Sequence, residues 1–212
     1  MTDNLDLVRQ QAFTYLEQKH AARERALPKS RTAIRNCANS IRATHRHEFE
    51  HAEHLLHEAS LLLDEMAYDL REHQDIFFAG FVQDAQKEYA EAATFLALAQ
   101  NQALPLASDL ALDWAPYLNG LGETVGELRR YVLDQLRHNN VEDSEIYLGQ
   151  MDDIYALLTT IDFPDAITGG LRRTTDTARG ILEKTRGDLT VAVGQAQLQR
   201  SLHALQQELQ KQ

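Results

Sequence analysis

From Lys29 to Arg71 the chain contains neither glycine nor proline. Those two residues end helices most readily, one through its free backbone and the other through its missing N–H. Within this stretch Ile34, Ile41, Ala52, Leu55, Ala59 and Leu62 recur at helical spacing, so one very long helix is expected. Leu27-Pro28 is expected to separate it from a first helix ending near Arg25. Further helices are expected over about Ile76–Gln102, from about Asp113 to Asn139-Asn140, and over about Glu142–Thr160. Another is expected from Pro164 onward, weakened at Gly169-Gly170. The tail QAQLQRSLHALQQELQKQ reads as a last helix, with Leu198, Leu202, Leu205 and Leu209 forming a seam for the bundle or for a partner. No strand pattern or hairpin turn pair breaks the series. The expected fold is all-α: a single-domain bundle of about six to seven helices over residues 1–193, with a helical extension over 194–212.

The formal net charge is −11, which on average repels nucleic acid and gives weight to a local exception. Over residues 23–46, Arg23, Arg25, Lys29, Arg31, Arg35, Arg42 and Arg46 stand against the single acid Glu24. On a helix Arg31, Arg35, Arg42 and Arg46 fall within about 60° of one another, beside an apolar face of Ile34, Ala38, Ile41 and His45. A cationic stripe bordering the core can line a groove for a phosphate backbone. The competing reading is a solvated face paired with neighbouring acids. His45, His47, His51, His54 and His57 follow, and read best as Glu–His pairs on a surface. The single Glu48-x-x-His51 falls short of the paired motifs of a di-iron bundle. Cys37 stands alone, so no internal disulfide forms. The opening MTDNLDLVRQQ lacks the apolar core of a secretory signal, and no apolar run reaches membrane-spanning length. The expected location is the cytoplasm, with no membrane partner.

Glu88 and Glu91 in QKEYAEA, and Glu123 and Glu127 in GETVGELRR, each lie on one helical face. If their helices are antiparallel neighbours, four carboxylates meet across one seam. Desolvating such like charges costs several kcal/mol each, a cost a bound hard cation relieves. An all-oxygen set suits Mg²⁺ or Mn²⁺ rather than zinc. Gly122 and Gly126 are read as making room for a neighbouring helix or a phosphate. Arg129 and Arg130 follow as phosphate contacts or as partners for an acid.

Four segments in order, RALPKSRTAIRNCANSIRATHR, QKEYAEAATF, YLNGLGETVGELRR and GGLRRTTDTARGILEKTRGDL, resemble the translin and translin-associated factor X family. The match spans roughly residues 20–193. Lys87 departs from the family's Gln-Glu pair, and Glu123 stands where the factor X branch has Asp. The resemblance implies a subunit of about seven helices in a hollow homo-oligomer, often an octamer, with RNA or DNA inside. Closeness of YLNGLGETVGELRR to the factor X branch implies a Mg²⁺-dependent (or Mn²⁺-dependent) endoribonuclease acting on single-stranded RNA. Glu88, Glu91, Glu123 and Glu127 are then its metal-binding and catalytic residues. Lys29, Arg31, Arg35, Arg42, Arg46, Arg129 and Arg130 are the expected nucleic-acid contacts, with single-stranded DNA a second possible ligand. The alternative is a translin-like shell that binds single strands without cutting them. Its acids would be structural, paired with Arg129, Arg130, Arg172 or Arg173.

Overall fold

A computed structural model describes residues 2–138 and 140–210. Eight helices account for nearly all of them: α1 (Thr2–His45), α2 (Phe49–Leu70), α3 (Gln74–Phe77), α4 (Gly80–Ala99), α5 (Trp114–Arg137), α6 (Val141–Thr159), α7 (Asp165–Thr168) and α8 (Leu171–Leu209). The all-α expectation holds, and no strand occurs among the described residues. The division into helices differs at Pro28, at residues 46–48 and in the tail, and the single helices expected over Ile76–Gln102 and from Pro164 are each split, α3 from α4 and α7 from α8.

Pro28 does not end a helix; it lies inside α1. Proline in a helix interior costs about 3 kcal/mol, and packing on both sides of it outweighs that. Ala22 and Ala26 before it and Ala33 after it are fully buried, and Ser30 Oγ donates to the Phe81 carbonyl at 2.7 Å. Lys29 is tied to Asp69 and Glu65 of α2 at 2.9 and 2.8 Å. The break instead falls inside the stretch free of glycine and proline. His47 adopts a left-handed backbone (φ 59°), Glu48 N donates to the Ala43 carbonyl at 3.0 Å, and His47 N to that of Thr44 at 2.9 Å. This is the paired-bond helix stop in which glycine usually takes the left-handed position. Histidine tolerates that region better than most side chains. It is held there by Tyr131, 3.1 Å from its Nδ1, while Arg46 grips Glu48 through two bonds of 2.8 Å.

The third difference lies in the tail. It is no separate helix: α8 runs unbroken through Gly194 to Leu209. Leu198, Leu202, Leu205 and Leu209 are exposed, as are Leu5, Phe13 and Leu16 near the start of α1, so both long helices project beyond the bundle. The short α3 and α7 are single turns at the entrances of α4 and α8. Asn139, expected at the end of the fourth helix, lies outside the described residues; α5 ends at Arg137. No helix is long and apolar enough to cross a membrane among the described residues.

At the centre, α4 packs on α5, α1 covers α4, and α6 and α8 flank α5. Phe95, Leu121, Leu128, Met151 and Leu182 are among the side chains fully buried between them. The α4–α5 contacts rise in step along both helices: Gly120 lies against Ala90, Thr124 against Thr94, and Tyr131 against Phe95. The two acidic helices therefore cross in the same direction, not antiparallel, and residues 100–113 carry the chain back between them. Gly120 makes the crossing possible. A methyl group there would collide with the Lys87 carbonyl and come within 2.7 Å of Ala90 Cβ and 2.9 Å of Glu91 N. Gly122 meets α8, where a methyl would strike the Thr174 methyl, whereas Gly126 has nothing nearer than Ile181 at 3.8 Å. Of the two glycines singled out in GETVGELRR, one is a contact and the other is not. Gly120→Ala is expected to destabilise by about 1–3 kcal/mol through overpacking. Gly126→Ala should be neutral or stabilising by up to about 1 kcal/mol through helix propensity. Thermal unfolding of both variants checks this, and equal effects would contradict it.

Candidate metal centre

The crossing places Glu88 and Glu91 of α4 opposite Glu123 and Glu127 of α5. Its floor is a buried hydroxyl pair, Thr94 Oγ1 and Thr124 Oγ1 at 2.6 Å, each also within donating distance of a carbonyl one turn back, that of Ala90 or of Gly120. Glu88, Glu91 and Glu123 each offer an oxygen within 4.8 Å of the other two. Oxygens held at about 2.1 Å from a Mg²⁺ ion are at most about 4.2 Å apart, so only a small rotation of these side chains separates the cluster from a coordination set. All three donors are hard carboxylate oxygens, which fits Mg²⁺ or Mn²⁺. Burial, reinforced by the charges of Glu123, Glu88 and Glu127, pushes the Glu91 carboxyl up to about 8. Burial likewise raises Glu88, opposed by the Lys87 charge and aided by Glu123, Asp84 and Glu127. Without a cation, Glu91 is thereby shifted toward keeping a proton that a carboxylate ordinarily releases.

Two residues outside the expected set complete the seam. Lys87 Nζ lies 2.8 Å from Glu123 Oε1. Burial alone would lower the lysine, but its hydrogen bond to Glu123 and the charges of Glu123, Glu88 and Asp84 outweigh that and raise it. The signal in the sequence was spacing, since Lys87 is one turn before Glu91 and so shares its face. His45, read as a packing residue, does pack: its side chain is 4% exposed and its ring lies 4.7 Å from that of Phe95. It also donates from Nε2 to Glu127 Oε2 at 2.5 Å, while its Nδ1 is buried without a partner among the described residues. Glu127 thus stands at the edge of the cluster with one oxygen committed. Its charge still acts on Glu88 and Glu91.

The basic residues divide. Lys29 is paired with Asp69 and Glu65, Arg46 with Glu48, and Arg129 with Asp188 at 2.8 Å and Thr185 at 3.1 Å. Arg35 and Arg42 bond only neutral neighbours, Thr32 and Asn39, one turn back. Arg31 and Arg130 are exposed. Arg31, Arg35, Arg42 and Arg130 therefore keep no acidic partner among the described residues. The arginines expected to neutralise the cluster in a purely structural seam do not do so: Arg129 faces α8, and Arg172 lies near Asp162 at 3.8 Å. His51, His54 and His57 stay on the surface of α2, where His54 approaches Glu58 at 3.5 Å.

Beside the cluster opens a cavity of about 670 Å³, shared by Lys87, Glu91, Glu123, Arg173 and Thr177. Asn119 fixes its wall by donating to the Ala115 and Thr168 carbonyls, both at 2.8 Å, and accepting from Thr174 at 2.7 Å. Gly169 and Gly170, both left-handed, turn the chain sharply from α7 into α8 along its rim.

No family model matches the chain. An uncharacterized protein of Methanocaldococcus jannaschii is 30% identical over 199 residues, covering 92% of this chain and 86% of that protein. Among solved structures, AfC3PO in complex with duplex RNA shares 34% identity with a TM-score of 0.81, covering 86% of this chain and 95% of the other. AfC3PO alone gives a TM-score of 0.79 at the same identity and coverage. Apo-NeC3PO, at 20% identity and a TM-score of 0.77, shares the fold over 89% of this chain and 97% of its own.

The raised carboxyls give the metal-free protein a signed pH dependence. Between about 4.5 and 8 the folded state keeps the Glu91 proton that the unfolded chain releases, so stability falls as pH rises through that window. In EDTA the melting temperature should drop from pH 5 to pH 8, and Glu91→Gln should flatten much of that fall. A Glu91→Gln variant with an unchanged profile would contradict the assignment.

Proposed function

The chain belongs to the translin and translin-associated factor X family, that of the C3PO complexes, and we propose that it is a metal-dependent endoribonuclease of that family. The observation that carries this reading is the cluster of Glu88, Glu91 and Glu123, drawn together in a half-buried seam that raises Glu91 to about 8. Carboxyls gathered and raised in a cleft are the kind of perturbed group that clusters at functional sites. Glu88, Glu91 and Glu123 would hold Mg²⁺ or Mn²⁺, with Glu127 at the edge supplying a further oxygen. When bound, the ion would supply Lewis-acid stabilisation of charge on a phosphodiester and activation of water for its hydrolysis. The chain's own part is positional: His45 orients Glu127, and the Thr94–Thr124 pair fixes the crossing.

RNA is the proposed substrate, cut as a single strand. Arg31, Arg35, Arg42 and Arg130 would contact its phosphates, which favours affinity over sequence preference; single-stranded DNA would bind the same surface. A hollow homo-oligomer, octameric in the family's manner, would enclose the strand, in line with the exposed apolar positions on the projecting parts of α1 and α8. Residues 1–193 would form the family domain, with 194–212 an extension beyond it. The second reading, a shell that binds without cutting, draws on one observation: Glu123 and Glu127 already have partners in Lys87 and His45.

Cleavage of labelled RNA, single-stranded and duplex, with Mg²⁺ and with EDTA, separates the two. The nuclease reading expects Mg²⁺-dependent cutting of single strands, reduced by about a hundredfold or more in Glu91→Gln while RNA binding persists. Wild-type protein that binds RNA yet never cuts it with Mg²⁺ or Mn²⁺ would leave the binding shell.

A further inference from the structure

A divalent cation entering this seam would not meet bare carboxylates. Lys87 is already there, its ammonium 2.8 Å from Glu123 Oε1 and on the same face of α4 as Glu91. An ammonium on Glu123 and a divalent ion on the same carboxylate repel each other, and the half-buried setting weakens screening of that repulsion. Lysine is suited to yielding its place, because its charge sits on a flexible stem and makes no fixed bidentate fork. The structure also provides somewhere to go. The cavity of about 670 Å³ that shares Lys87 with Glu91 and Glu123 is bounded on its α8 side by Arg173, Thr174 and Thr177. Arg173 is exposed and has no acidic partner among the described residues.

Resting on the nuclease reading, we propose that Lys87 is a resident counter-cation that the metal displaces, and that the displaced ammonium joins Arg173 to hold a phosphate of the RNA in the adjoining cavity. Metal and RNA then help each other. A phosphate that draws Lys87 away from Glu123 removes the competitor for the metal, and by linkage the bound metal frees Lys87 for the phosphate. Metal loading is thereby coupled to substrate, and the site stays electrostatically balanced when neither is present.

The test is Mn²⁺ titration of the full-length protein, followed by electron paramagnetic resonance of free Mn²⁺. It is run with and without a single-stranded 2′-O-methyl oligoribonucleotide, the RNA alone serving as background. Lys87→Gln should bind Mn²⁺ about tenfold more tightly than wild type, and Lys87→Arg, which keeps the charge, should not. Lys184→Gln, an exposed lysine on α8, should leave the affinity unchanged and so separate local competition from net charge. Added RNA should tighten Mn²⁺ binding to wild type about fivefold or more. That coupling should vanish in Lys87→Gln, and Arg173→Gln should weaken it without changing the affinity measured in the absence of RNA. Unfolding in EDTA establishes that Lys87→Gln is folded, with Lys87→Met as a second neutral variant. If both neutral variants bind Mn²⁺ no more tightly than wild type, or Lys184→Gln tightens as much, Lys87 is not the competitor. If wild-type protein binds no Mn²⁺ beyond a Glu91→Gln control, the nuclease reading itself fails and this proposal with it.

Discussion

The close crossing of α4 on α5 is the constraint on which the rest of the molecule depends. It brings Gly120 against the Lys87 carbonyl and Ala90, and thereby presses two pairs of glutamates into one seam. The apolar packing around it stabilises the crossing, while the carboxylates it brings together oppose it. A protein has few ways to keep such an arrangement: protonate it, pair it, or fill it with a cation. Burial raises Glu91 to about 8 and pushes Glu88 upward, which favours the first, and the Lys87–Glu123 and His45–Glu127 contacts supply the second. The third is the function assigned to it.

Much of this was legible in the residues, and the parts that were not have identifiable causes. Helical periodicity and scarce glycine and proline announced an all-α chain, because those signals are local. The acid pairs at three and four residues located each half of the seam for the same reason. Whether the halves meet is a tertiary fact, and the direction of the crossing was misjudged since nothing local records the return path of residues 100–113. Pro28 and His47 show local rules overridden from both sides. Proline continues a helix where buried alanines and Ser30 hold the backbone on either side, and a histidine ends one where Tyr131 and an Arg46–Glu48 clasp support its left-handed turn.

Charge was the least legible property. Arg31, Arg35, Arg42 and Arg46 were expected on one stripe, with Lys29 and Arg129 as further contacts, yet Lys29 and Arg46 are taken by acids from α2 or its entrance, and Arg129 by α8. Pairing depends on which helix lies opposite, and a single chain's spacing does not contain that. Lys87 is the converse case. As a sequence feature it was a departure within a familiar segment, while in the fold it is the nearest cation to the acids. In the proposed function this arrangement would join stability, metal and RNA through one set of side chains, so that relieving the seam's charge and binding substrate would be one physical event.

In the proposed function Glu88, Glu91 and Glu123 together bind a divalent ion. Anomalous diffraction from a crystal soaked in Mn²⁺ tests it most directly. A single strong peak is expected among those three carboxylates, with the Lys87 ammonium moved off Glu123. Strong Mn²⁺ peaks elsewhere, with none in the seam and the Lys87–Glu123 contact intact, would contradict it.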